Sequence, residues 1–142
     1  MYNNFKFLKQ KHNLSTTKFR FKSITLDELV KTFKEIPLKS SPGCTKIPTK
    51  ILKDSINHIG PILLDIFNKC LRTDTIPNKF KFAECIPLLK KGSNYDMNNY
   101  RGISILPTIA KLLEKLSAKQ IRNYFESNKL FYAGQHGVAV SI

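Results

Sequence analysis

Acidic residues are scarce in this chain: 10 Asp and Glu face 24 Lys and Arg, leaving a formal charge of +14 over 142 residues. The imbalance favours polyanionic partners, because lysines and arginines that neutralise phosphates release counterions. A/T-rich coding would raise the lysine, asparagine and isoleucine content in the same way, so charge alone does not separate the two origins. Cysteine is also sparse. Cys44, Cys70 and Cys85 are odd in number and have no paired spacing, which excludes a disulfide framework and a zinc-finger ligand set. Thiols in a reducing compartment are the expectation. The three histidines, His12, His58 and His136, are too scattered to form a ligand cluster. Long hydrophobic runs are missing too, and the charged N-terminus is not followed by an apolar segment, so neither a spanning helix nor a signal peptide is predicted. A soluble intracellular protein without internal repeats is expected. At this length, with 42% hydrophobic residues, one domain with a modest core can form.

The most informative stretch is Cys85 to Leu106, CIPLLKKGSNYDMNNYRGISIL. Apolar runs at Cys85 to Leu89 and Ile103 to Leu106 enclose a segment rich in Gly, Ser, Asn and Asp, the pattern of two strands joined by a loop. If the strands pair, Lys90 and Lys91 leave the first as Arg101 enters the second, and the three cations can converge on one side. Lysine offers a compact charge and arginine a planar fork of donors, a set suited to a triphosphate or a nucleic-acid backbone. The competing reading is a hairpin whose cations serve solubility.

Helices flank this hairpin. Thr25 and Glu28 make a capping-box pattern, followed by Leu26, Leu29, Val30 and Phe33 at helical spacing, and Pro37 ends the run. Pro48 or Thr49 starts a helix containing Ile51, Leu52 and Ile56. Pro61 is expected at the first position of the next, with Ile62, Leu63, Ile66, Phe67, Cys70 and Leu71 as a broad apolar face. Pro107 and Thr108 begin the longest helix, to about Ser127. Its lysines Lys111, Lys115 and Lys119 form a stripe at i, i+4 spacing, read as a wet face or a nucleic-acid contact. Between the helices, Lys39 to Pro48 is turn-rich around Pro42 and Gly43. Ile76 to Phe82 alternates Lys79 and Lys81 with Phe80 and Phe82, as an extended strip would. The first 24 residues form a basic arm in which Phe5, Phe7, Phe19 and Phe21 interleave with cations, an arrangement suited to nucleic acid or to a terminal linker.

IPLLKKG followed by NYRGISIL resembles the finger motifs of reverse transcriptases encoded by non-long-terminal-repeat retrotransposons, the jockey-like and other LINE-type elements. The resemblance extends to SSPGCTKIPTKILK from Ser40, IFNKCL from Ile66, IPNKFKFAECIPL from Ile76, LLEKL from Leu112 and QHG at Gln135 to Gly137. It therefore covers about Leu38 to Gly137.

That resemblance implies an α+β, mostly helical fold: the fingers, with the palm entry, of a right-hand polymerase. The implied division is a basic arm over 1–24, a truncated fingers region over 25–137 and a divergent tail over 138–142. It implies RNA-directed DNA polymerisation by a mobile element, with RNA or DNA template and incoming dNTP as partners, and a palm portion lying outside this chain. Lys90, with Lys91 as the alternative, and Arg101 take the place of the family's triphosphate contacts. Lys39, Ser41, Gly43, Lys46, Lys79 and Lys81 fall in segments near the template. Thr45 stands where the family typically has Asp, and Gly102 where it often has proline and sometimes glycine. The family uses Mg²⁺ held by palm aspartates. Asp27, Asp54, Asp65, Asp74 and Asp96 are isolated, so no catalytic residue, metal ligand or cofactor is assigned here, and the chain is expected to be an inactive remnant. A basic nucleic-acid-binding module and a helical interaction domain are the other readings.

Overall fold

The computed structural model describes residues 18–131. The first 17 residues of the basic arm, the Gln135–Gly137 motif and the tail over 138–142 lie outside the described residues. Within the described residues five α-helices and one hairpin follow in chain order: α1 (Leu26–Glu35), α2 (Thr49–Asp54), α3 (Ile56–Thr73), α4 (Asn78–Lys81), β1 (Glu84–Leu89), β2 (Tyr100–Ile105) and α5 (Thr108–Ser127). The fold is α+β and mostly helical, as the sequence predicts.

Helix α1 starts where its capping chemistry puts it. The Thr25 hydroxyl accepts from the Glu28 N–H at 3.2 Å, and Glu28 Oε2 accepts from the Thr25 N–H at 2.8 Å, so two otherwise orphaned donors are satisfied reciprocally. One face of this helix then packs on both α3 and α5. Leu29 and Phe33 meet Leu63, Phe67 and Cys70 from α3, Leu112, Leu113 and Leu116 from α5, and Leu52 from α2 in a single core. Each such side chain contributes about 1.5–3 kcal/mol on burial.

The chain ahead of α1 is fixed by two carboxamides. Asn68 Oδ1 accepts from the Ile24 N–H at 2.7 Å while its Nδ2 donates to the Ile24 carbonyl at 3.0 Å. Gln120 repeats the arrangement on Lys22, at 2.8 and 2.9 Å. Thus α3 and α5 each hold one residue of an extended segment as a neighbouring strand would.

Two sequence expectations are corrected. Ile56, expected in the helix begun at Pro48 or Thr49, opens α3 instead, because α2 ends at Asp54, and Pro61 accordingly lies inside α3, five residues past its start, and not at the first position. Proline there removes one helical bond, to the Asn57 carbonyl, but Asn57 and Pro61 are both exposed, so water can serve the freed group. The second concerns Lys79 and Lys81, which sit on the short helix α4 instead of an extended strip. Pro77 is pre-set for a helix start, and the turn brings Phe80 edge-on to Phe67 with centroids 6.3 Å apart. Packing of that ring outweighs the alternation. Among the described residues no helix is long and apolar enough to cross a membrane.

The lysine stripe of α5 turns out to be a set of fasteners. Glu35, at the end of α1, accepts from Lys119 at 2.8 Å and from Lys115 at 3.0 Å, and Lys119 also donates to the buried Thr32. Hydrogen bonds from Lys119 and then Lys115 hold the Glu35 carboxyl below the usual carboxylate range. Because the folded pKa is depressed, the stabilisation is complete above the ordinary carboxylate range and disappears as pH falls through the lowered value. Glu35→Gln should therefore lower the urea midpoint at neutral pH. The gap between variant and wild type should close on acidification below the ordinary range; a gap independent of pH would show that the carboxylate charge is not what fastens α1 to α5.

Candidate phosphate site on the hairpin

Strands β1 and β2 pair antiparallel with Glu84 opposite Ile105, Leu88 opposite Arg101 and Leu89 opposite Tyr100. The register continues one step, because the Lys90 N–H donates to the Asn99 carbonyl at 2.7 Å. Directly opposed residues share a face, and alternate residues along a strand do too. Lys90, two residues past Leu88, therefore stands on the same side of the ribbon as Arg101, with Lys91 next to it. The same alternation makes Pro87 and Gly102 a non-hydrogen-bonded pair, so the proline nitrogen lies on the outer edge of β1, where no ladder bond is lost.

Ten residues, Lys90 to Asn99, connect the strands, and their own side chains shape them. Gly92 takes φ +80, and a β-carbon there would lie 2.7 Å from the Asn99 amide nitrogen, which donates to the Ser93 carbonyl at 2.9 Å. Asp96 Oδ1 accepts from the Asn98 N–H at 2.9 Å and from its amide at 3.0 Å, starting a single 3₁₀ turn over Met97–Asn99. The Tyr100 hydroxyl donates to the Asn94 carbonyl at 3.0 Å.

Lys90, Lys91 and Arg101 are all exposed, and among the described residues none of their charged groups is engaged in an ion pair or a side-chain hydrogen bond. Several cations nearer the core are occupied, although others on the surface, such as Lys39, Lys69 and Lys79, are exposed as well. Lys46 bonds both oxygens of Glu84, at 2.8 and 2.9 Å, and Lys111 donates to the Ser41 carbonyl at 2.6 Å and the Ser40 hydroxyl at 3.2 Å. Burial lowers the Lys111 pKa from the ordinary lysine value, as expected where neutral oxygens replace water.

The residues placed near a template by sequence divide accordingly. Ser41, Gly43 and Lys46 belong to a turn clasped to the foot of the ribbon. Gly43, at φ +64, packs so closely that a β-carbon would sit 2.8 Å from the Leu106 carbonyl carbon and oxygen. Cys44 donates weakly to the Phe82 carbonyl at 3.5 Å, and Lys46 reaches the first residue of β1. Behind the turn the buried Thr49 hydroxyl donates to the Ser40 carbonyl at 3.3 Å and lies 3.1 Å from the Thr108 hydroxyl. With the Thr49 proton used on Ser40, the proton between the threonines is the one on Thr108. Lys39 and Lys79 are exposed, and Lys81 only touches its own turn, at Asn78 Oδ1. From Glu84 to Lys90 a strand advances about 20 Å. The clasped turn and the three hairpin cations therefore lie at opposite ends of the ribbon. Nothing in the sequence signals the Lys111 and Thr49–Thr108 contacts, because they join residues 59 or more positions apart; only Gly43 marks the place.

The magnesium implied by the resemblance finds no fitting ligands: no three His, Cys, Asp or Glu side chains gather among the described residues. The only loop carboxylate, Asp96, has one oxygen taken by Asn98.

No family model matches the chain. Curated proteins do. The chain is 30% identical over 117 residues to the probable RNA-directed DNA polymerase from transposon BS of Drosophila melanogaster, which covers 82% of this chain and 13% of that protein. It is 30% identical over 95 residues to the RNA-directed DNA polymerase from mobile element jockey of the same fly, covering 66% of this chain and 10% of the relative. The putative 115 kDa protein in type-1 retrotransposable element R1DM, also of Drosophila melanogaster, is 32% identical over 87 residues, 59% of this chain and 8% of its own length. The chain thus spans a small fraction, 8–13%, of the length of these relatives.

The clasp can be tested at its tightest point. Gly43→Ala combines a left-handed backbone with a backbone collision and should cost about 1–3 kcal/mol in urea unfolding. An unchanged midpoint would mean that the turn does not bear on Leu106 in solution.

Proposed function

We propose that this chain, a homologue of the RNA-directed DNA polymerases of the jockey, R1 and BS non-LTR retrotransposons, forms the fingers portion of such an enzyme and uses its hairpin to hold nucleotide or template phosphates. The observation that carries this reading is the placement of three unengaged cations. Lys90 and Arg101 share one side of the ribbon with Lys91 beside them, and all three are exposed and unengaged while Lys46, Lys111, Lys115 and Lys119 are spent on internal contacts.

Chemically the site can bind and orient. Arg101 offers parallel N–H donors to two oxygens of one phosphate, and the lysines add compact charges for its neighbours. Nucleotidyl transfer requires metal-binding carboxylates that these residues do not provide, so the chain by itself holds phosphates without turning substrate over. The template role of Lys39, Ser41, Gly43, Lys46, Lys79 and Lys81 narrows on this reading. Lys39 and Lys79 remain free to meet a strand, and the clasped turn sets the direction of the ribbon.

Titration of the chain with a nucleoside triphosphate checks the site. Arg101→Ala should weaken binding by about 1.5–3 kcal/mol, the worth of a hydrogen bond to a charged group. Lys31→Ala, which removes an equal charge from α1, should change it little. Equal losses from both would show that only diffuse charge is being measured, the behaviour of a general basic module. Primer extension by the isolated chain above a heat-killed control would overturn the expectation of binding without turnover.

A further inference from the structure

The tip of the hairpin carries an aromatic ring for which the fold has no use. Tyr95 is 94% exposed, and Met97, two residues on, is 82% exposed. Most other rings of the described residues are packed: Phe19 meets Phe21 and Tyr124, Phe67 meets Phe80, and Phe125 meets Phe131, with centroids 4.8–6.3 Å apart, while Phe82, 64% exposed, lies at the opposite end of the ribbon, away from the three cations. The Tyr95 backbone is nonetheless held. Its N–H donates to Ser93 Oγ at 3.2 Å, the Ser93 carbonyl accepts from Asn99 and from the Asp96 N–H, and the preceding carbonyl, of Asn94, accepts from Tyr100. Withdrawing the ring into a collapsed loop would break these bonds.

We propose that Tyr95 is a stacking platform for an unpaired base of a single-stranded polynucleotide whose phosphates lie on Lys90, Lys91 and Arg101. The inference rests on the phosphate reading of those cations and adds to it the recognition of a base. Charge selects this partner over a protein. The loop and its flanks carry three free cations, while their one carboxylate, Asp96, is engaged by Asn98. The ring's neighbours Ser93, Asn94, Asp96 and Asn98 are polar and exposed, and Met97 is the one exposed apolar side chain beside it in the loop, so the tip presents mostly polar groups around the ring. A lone aromatic face amid cations is what single strands use, because every base has a π-face and the backbone supplies the anions.

The test uses the full chain and two fluorescent oligonucleotides of equal length, an oligothymidylate and a fully abasic strand, with binding read by anisotropy over a range of salt. Wild type should prefer the base-bearing strand. Tyr95→Ala should weaken that strand about 5- to 150-fold, leaving the abasic strand and the salt slope unchanged, because stacking releases no counterions. Tyr95→Phe should restore binding, and Lys90→Ala should weaken both strands alike and flatten the slope. Equal wild-type affinity for the two strands, or no effect of Tyr95→Ala, overturns the stacking role while leaving the phosphate site standing. Failure to bind either strand at low salt overturns the phosphate reading and the stacking role with it.

Discussion

A two-stranded ribbon cannot hold itself in water, and the main constraint on this structure is how such a ribbon is anchored. Strands β1 and β2 bury little: Ile86, Leu88 and Ile103 are each 39–43% exposed, and among the described residues no third strand joins them. What fixes the ribbon is its foot. The turn around Gly43 presses on Leu106, Lys46 bonds Glu84, and Lys111 with the Thr49–Thr108 pair secures the turn from behind. The helical core of Leu29, Phe33, Phe67 and Leu112 supplies the rigid base to which these groups are attached.

Charge is partitioned along the same axis. Lys46, Lys53, Lys111, Lys115 and Lys119 serve as long connectors between elements, and Lys111 shows by its lowered pKa what it gives up in hydration. The lysines at the far end of the ribbon keep their water. A net charge of +14 therefore overstates the cation available to a partner. Three of the unengaged cations, Lys90, Lys91 and Arg101, stand together at the far end of the ribbon, where an anion can approach without displacing an internal contact.

Local rules made much of this legible from sequence. The Thr25–Glu28 capping box and the helical spacing of α1 and α5 are each set by residues within a few positions of one another, and the hairpin by two runs that follow each other directly in the sequence across one loop. Where the reading failed, tertiary contact overrode a local pattern: Phe80 left its alternation to reach Phe67, and Pro61 was carried into α3 by a helix already started at Ile56. The α5 lysines show a different gap. Their spacing was visible, but their partners on α1 and in the Ser40 turn lie 70–87 residues away. Tyr95 escaped notice because it belongs to no periodic or motif pattern; only its exposure sets it apart.

Pro87 has a consequence for how this ribbon behaves in a crowd. Chains that stack through their strands into an endless ladder need two competent edges each, one to receive and one to offer. With a proline nitrogen on the outer side of β1, one of those edges is blunted, and only the side of β2 remains open. Such a ribbon can accept a single added strand, but a second copy docked there presents no equally good edge to a third. Assembly through the backbone would end at a pair, and a chain with this much exposed apolar strand is shielded from fibre growth by one residue.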